Sequence, residues 1–329
     1  MTHKLENRSI MVTGGAGFIG SHLVDRLIQE KPSNLVVVDN FFLGKESNLE
    51  DAKSNYPALK ILRQDAKDYE AMKHIMRDEN VQVVFNLAVT PLPASLTRPR
   101  WVYEENMAIV LCLLELIRGH DFDTLIHFSS SEVYGTSIYA PMDEDHPLNG
   151  PTPYAVSKAA GDKLILSYCR IFGIDAAILR PFNNYGPRQN EGSYAGVIPL
   201  TIKRILSGEP PIVYGDGKQT RDYLYVTETA DAAVKVYNCT KTRGRVLNVG
   251  SGRETSINSV VQLIAQQLNC NKPIVCQEPR PGDVKRHIAS IFLAEELIDF
   301  CPKVGMNEGL RTTVEWYEHQ CENRLPMRE

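Results

Sequence analysis

The chain has 329 residues, 43% hydrophobic and 23% charged, with a formal net charge of -4; this suits one large globular unit or two intimately packed ones and gives no electrostatic footprint for nucleic acid or an anionic membrane. Its seven cysteines include no C-x-x-C pair and its eight histidines show no ligand spacing, so reduced thiols and no metal are expected. The stretch MTHKLENRSIMVTGG has no long apolar core behind a basic segment, and no run of about 18 apolar residues follows, so neither export nor membrane spanning is supported and the expected compartment is the cytoplasm.

Short β-rich runs at 9–13, 35–39, 60–63, 83–87 and 124–129 alternate with amphipathic stretches at 18–30, 71–78 and 102–119. That rhythm predicts an α/β fold, a parallel sheet with helices on both faces. A helix over 153–172 and a strand over 175–179 extend it, so the sheet domain is expected to run over 1–180. From Pro181 the chain turns richer in Pro and Gly, with GEPPIVYGDGKQTRD and EPRPGD reading as loops over a smaller lobe, 181–329, that returns in part to the sheet. The tail after Glu315 reads as a helix fraying into polar residues, and no tandem repeat or low-complexity tract interrupts the chain.

The string TGGAGFIG at 13–20 follows a strand and opens a helix. Glycines allow close backbone approach to a pyrophosphate, and the helix N-terminus favours its charge. Asp39 ends the next strand, where a carboxylate accepts from adenosine ribose hydroxyls and repels a 2′-phosphate, which favours NAD over NADP. Asp65, after the third strand, fits either an adenine contact or a solvated loop carboxylate.

Tyr154 and Lys158 stand at i and i+4, on one face of the 153–172 helix. A nearby cation favours phenolate, so Tyr154 is expected to have a lowered pKa and to take a proton from a hydroxyl while hydride leaves for nicotinamide. Ser129, Ser130 and Ser131 end a strand at the carboxyl edge of the sheet, where ligands bind; consecutive serines also satisfy backbone groups at strand ends.

Taken together, TGGAGFIG, Asp39-Asn40, NLA at 86–88, SSSEVYG at 129–135, YAVSK at 154–158, RPFNNYGPR at 180–188, RDYLYV at 221–226 and PRPGD at 279–283 resemble the extended short-chain dehydrogenases/reductases. The likeness is to the NAD-dependent epimerase/dehydratase branch acting on nucleotide sugars and covers nearly the whole chain. It implies a Rossmann-type doubly wound sheet with a smaller C-terminal substrate lobe, NAD as cofactor, a nucleotide-diphosphate sugar such as a UDP-hexose as substrate, and a homodimer. Gly14, Gly17, Phe18 and Ile19 would hold the pyrophosphate, and Asp39, Asn40, Asp65 and Ala66 the adenosine. Leu87, Ala88, Asn106 and Phe182 would complete the cofactor site beside Tyr154 and Lys158. Ser130 would bind the reacting sugar hydroxyl, Asn183 and Arg221 the diphosphate, and Arg280 and Asp283 the nucleotide end; charge-assisted Arg–phosphate contacts suit those places. Arg221 also fits a salt bridge near Asp222, and 279–283 a plain turn.

In this family oxidation at sugar C4 precedes epimerisation, dehydration or decarboxylation. Dehydratase-like sites carry an Asp-Glu pair where this chain has Ser131 and Glu132, so half of that pair is missing. Glu132 and Arg286 resemble decarboxylases, whereas RPFNNYGPRQ and PRPGD resemble UDP-sugar 4-epimerases, the leading expectation. The proline-rich loop 89–95 departs from relatives beside the nicotinamide and sugar. A non-catalytic NAD sensor, the distant alternative, usually lacks the Tyr or Lys that are both present here. The four-helix dimer implied by resemblance would use 102–119 and 153–172, with Ile109, Leu113, Leu116 and Ile117 in a stripe that also fits packing on the sheet.

Overall fold

The computed structural model describes residues 4–192, 195–279 and 283–322. The first part runs β1 (Ser9–Thr13), α1 (Phe18–Ile28), β2 (Asn34–Asp39), α2 (Glu50–Asn55), β3 (Lys60–Arg63), α3 (Tyr69–Asp78), β4 (Val83–Asn86), α4 (Leu92–Ser95), α5 (Pro99–Arg118), β5 (Thr124–Phe128), α6 (Pro153–Phe172) and β6 (Asp175–Pro181). The remainder runs β7 (Asn183–Tyr185), α7 (Val197–Leu206), β8 (Ile212–Tyr214), β9 (Thr220–Arg221), β10 (Tyr223–Tyr225), α8 (Val226–Asn238), β11 (Val246–Val249), β12 (Thr255–Ser256), α9 (Ile257–Gln267), β13 (Val275–Gln277), α10 (Phe292–Ile298) and α11 (Met306–Glu322).

Seven parallel strands form one sheet in the order β11-β6-β5-β4-β1-β2-β3. The strand order reverses between β1 and β4, and the two crossovers leaving their carboxyl ends diverge to open a crevice. Strands β1, β4 and β5 are buried throughout, as apolar runs covered on both faces must be. Edge strand β3 is buried nowhere along its length. On one face Leu23 and Leu27 of α1 and Ala233 and Val236 of α8 pack on Val12, Val37 and Phe85. On the other, Leu113 and Leu116 of α5 and Ile165 of α6 pack on Met11, Val84 and Leu125.

Helix α6 begins where its sequence dictates. The Thr152 hydroxyl accepts from Ala155 N at 3.2 Å, Pro153 occupies the first turn, and Gly173 ends the helix in the left-handed region at φ 67. Helix α5 starts three residues before its expected onset, because Pro99 suits a first turn without needing an N–H donor.

Beyond Pro181 the chain is far more helical than its loops suggest. Helices α7, α9 and α11 enclose a separate core of Ile202, Val260, Ile264, Leu310 and Val314. Strand β11 lies beside β6 with Val246 opposite Ile178. The expected C-terminal helix starts well before residue 315 and reaches Glu322; the polar tail after it lies outside the described residues. The stripe assigned to subunit contact is consumed within the chain: Ile109, Leu113, Leu116 and Ile117 are all buried in the core beneath α5. Among the described residues no helix is long and apolar enough to cross a membrane, and no cluster of His, Cys, Asp or Glu could hold a metal ion.

Candidate active site

A cavity of about 490 Å³ occupies the crevice, lined by Gly14, Gly17, Phe18 and Ile19, by Asp39, Asn40, Asp65 and Ala66, and by Leu87, Ala88, Tyr154 and Lys158. The glycine turn is shaped by close backbone approach. A Cβ on Gly14, at φ +70, would lie 2.7 Å from Ala88 N, and one on Gly20 would lie 2.2 Å from the Gly14 carbonyl oxygen. Gly17 opens α1 without any side-chain cap, so the helix terminus keeps its donors for a ligand. The residues at this cradle fit a dinucleotide diphosphate.

Asp39 is held at the end of β2 by two backbone donors, Ala16 N at 3.0 Å and Phe41 N at 2.8 Å. Burial pushes its carboxyl up, and those donors oppose the shift. Asn40 reaches Asp65 at 3.5 Å, while Asp65 accepts from Lys67 N at 3.1 Å. Two carboxylates, Asp39 and Asp65, and the Asn40 amide thus stand at adjacent strand ends on the cavity lining.

Tyr154 stands at the other end with Ser130, to which its hydroxyl is hydrogen-bonded. The Ser130 hydroxyl also accepts from Glu132 N at 3.2 Å, capping the 3-10 turn over 131–134. Burial pushes the Tyr154 phenol up to about 12; the Ser130 bond opposes that, and the negative fields of Glu132 and Asp162 add to it. The lowering expected from Lys158 is not among these effects. The Lys158 ammonium instead donates to the Phe128 carbonyl, and burial lowers it to about 8 against the support of Asp162.

Other expected site residues lie deeper or are already partnered. Asn106 is buried and outside the cavity lining: its oxygen accepts from Thr90 N at 2.8 Å and its amide donates to Ser157 Oγ at 2.9 Å. Those bonds pin the proline-rich loop to α6. Phe182 is likewise buried away from the cavity, its ring against Tyr134 and His287. Ser131 is buried, whereas the Asn183 amide nitrogen is buried without a hydrogen-bond partner and available to an acceptor.

Arg221 and Asp283, assigned separate parts of the substrate, form an ion pair with each other. The Arg221 guanidinium also donates to the Val284 carbonyl at 2.6 Å. Burial raises the carboxyl of Glu132, which feels Arg221 and Asp283 from across the site. Arg280 lies outside the described residues. Arg286 is engaged in two bonds to Glu254, at 2.6 and 2.8 Å.

Sequence reading passed over a buried polar network beneath the lysine. Ser129 Oγ donates to Asp162 at 2.7 Å, Arg180 pairs with Asp162 at 2.9 Å, and Arg180 donates to the Tyr134 hydroxyl at 2.8 Å. Its signal was available: Asp162 is four residues beyond Lys158 on the same helical face.

A glycine turn against the sheet, a carboxylate ending β2 and a Tyr/Lys pair above one cavity define a dinucleotide-dependent enzyme on a Rossmann sheet. The chain belongs to the NAD dependent epimerase/dehydratase family, whose profile matches residues 10–250. It is 32% identical over 312 residues to the UDP-glucose 4-epimerase of Mycolicibacterium smegmatis, covering 94% of this chain and 98% of that one. It is 32% identical over 320 residues to the UDP-N-acetyl-alpha-D-glucosaminuronate decarboxylase of Bacillus cytotoxicus, covering 93% and 97%. Among solved structures, the UDP-glucose 4-epimerase of Thermotoga maritima with UDP-glucose aligns at a TM-score of 0.90 with 32% identity, over 95% of this chain and 99% of that one.

Proposed function

We propose that this NAD-dependent enzyme is a UDP-sugar 4-epimerase. The observation that carries the choice within the family is the commitment of Arg286 to Glu254. A decarboxylase needs a cation for the uronate carboxylate, and Arg286 would have to break a bidentate pair with Glu254 to serve, whereas the pair of Arg221 with Asp283 uses a single guanidinium nitrogen. Ser131 further leaves no acid where a dehydratase protonates its departing hydroxyl. Isomerisation at C4 requires neither group.

Bound NAD supplies the hydride acceptor. The glycine turn and the start of α1 hold its diphosphate, Asp39 and Asn40 its adenosine ribose, and Asp65 with Ala66 its adenine. Tyr154 holds and moves the proton of the sugar hydroxyl, oriented by Ser130, while Lys158 anchors the nicotinamide ribose. Asn183, through its unpartnered amide, and Arg221 reach the substrate diphosphate, and Arg280 and Asp283 close the nucleotide end. We divide the chain into a cofactor domain, 1–180, and a mainly substrate-binding lobe, 181–329, and assign it to the cytoplasm as a homodimer. The exposed Tyr103 and Leu111 of α5 and Val156 of α6 supply the shared apolar surface.

Decarboxylation of a UDP-uronate is the second reading, favoured by the half-buried Glu132 in the field of Arg221. Mass spectrometry and NMR on the purified protein with UDP-glucose, UDP-N-acetylglucosamine and UDP-glucuronate separate the two. An unchanged mass with inverted C4 is expected; loss of carbon dioxide or water sinks the epimerase reading.

A further inference from the structure

Three buried side chains cross the sheet beneath the cavity on the side of α5 and α6. Thr13, the last residue before the glycine turn, donates from Oγ1 to Asn86 Oδ1 at 2.7 Å. The Asn86 amide nitrogen meets His127 Nδ1 at 2.9 Å. Thr13, Asn86 and His127 are 0%, 1% and 1% exposed.

The Asn86 amide turns its oxygen to Thr13 and its nitrogen to His127, and that orientation sets the polarity of the chain. A threonine hydroxyl facing an amide oxygen must donate, an amide NH₂ has only donors, and His127 Nδ1 must therefore accept. The proton of the neutral ring is forced onto Nε2, which is buried without any acceptor. Leu125, two residues earlier on the same face of β5, packs among the side chains of α5 and α6. The ring thus lies on the side from which Lys158 descends, and the lysine donates to the carbonyl of the very next residue, Phe128. The charge of Lys158 reaches the ring and, after burial, is the second cause holding His127 neutral.

We infer that His127 is a positioning residue for Lys158: the Thr13–Asn86–His127 chain fixes an N–H edge beside the ammonium, weakens its hold on its proton, and ties the lysine to the glycine turn. An N–H dipole facing a cation disfavours it, whereas the opposite tautomer would present a lone pair and stabilise it. Among the described residues, Asp162 on α6 supports the ammonium directly, Arg180 reaches Asp162 from β6, and Tyr154 stands one turn earlier on α6. This inference rests on the Tyr154/Lys158 reading of the site.

The test avoids any assumption about the sugar. Holoenzyme of matched NAD content is reduced with sodium cyanoborohydride, whose hydride leaves boron for the nicotinamide ring, and the rate is followed across pH against free NAD. A protonated Lys158 beside the nicotinamide favours hydride arrival, so the rate should fall as pH rises through about 8. Lys158→Met should lack that transition. His127→Phe removes the dipole, and Thr13→Val, uncharged and remote, frees the Asn86 amide to turn and the ring to change tautomer; both should move the transition upward by about half a pH unit or more. His127→Gln, which can accept from Asn86 and donate onward, should restore the wild-type position. If Lys158→Met loses the transition while His127→Phe and Thr13→Val superimpose on wild type, the inference is overturned. If Lys158→Met keeps it, the reading of the pair itself fails.

Discussion

Tyr154 is the residue on which turnover should depend most directly, because it lines the cavity with Lys158 and its hydroxyl is bonded to Ser130. Replacing it with Phe removes the proton carrier without touching the glycine turn. Steady-state assays should show turnover lowered about a hundredfold to ten-thousandfold, with NAD still bound; a variant retaining full turnover would assign the proton to another group. Glu132 gives a second prediction with a definite sign. Its carboxylate raises the Tyr154 phenol by like-charge repulsion, so Glu132→Gln lets the phenolate form at lower pH. The acid limb of the pH–rate profile should move towards lower pH, and a move in the other direction contradicts the electrostatic assignment.

At the scale of elements, the site depends on how closely α1 approaches the glycine turn. A Cβ at Gly20 lands 2.2 Å from the backbone oxygen of Gly14, an atom that cannot swing away as a side chain would. Gly20→Ala should cost about 1–3 kcal/mol in denaturant unfolding and displace the turn, with NAD lost on purification; a variant as stable and as NAD-rich as wild type would show that the helix can slide back freely. The elements around this turn were legible in the sequence, because β1, α1, β2 and the Tyr/Lys helix carry strong local signals: a glycine turn, an apolar run, a Thr-Pro start. Elements beyond Pro181 were less so. Helix α8 has no glycine or proline stop before Cys239, and its apolar Ala232, Ala233 and Val236 find their purpose only against Phe85 and the sheet, far earlier in the chain. Likewise the pairing of Arg221 with Asp283, and of Arg286 with Glu254, depends on folding distant loops together, which no spacing reveals.

The whole molecule places neutral histidines where acid must eventually charge them, and His287 states the consequence most clearly. It is 0% exposed, its Nε2 lies 2.8 Å from the Gly135 carbonyl, and burial followed by the field of Arg221 lowers its pKa to about 4. The unfolded chain takes the same proton near the ordinary value of 6.5. Above that pH neither state binds it and nothing is lost; between 6.5 and 4 only the unfolded state does, so stability falls as pH falls; below 4 the loss is complete, on the order of 3 kcal/mol for this group. Buried carboxyls with raised values, such as Asp162 and Asp222, act with the opposite sign in part of this window, so a single acid titration mixes the two. Comparison with His287→Gln, which keeps a donor for Gly135, cancels those common contributions. The variant and the wild type should differ least near pH 7, and calorimetric melting should favour the variant increasingly as pH drops towards 4. A constant difference across that window would mean that His287 takes its proton inside the fold, with an acceptor arrangement around Arg221 unlike the one seen here.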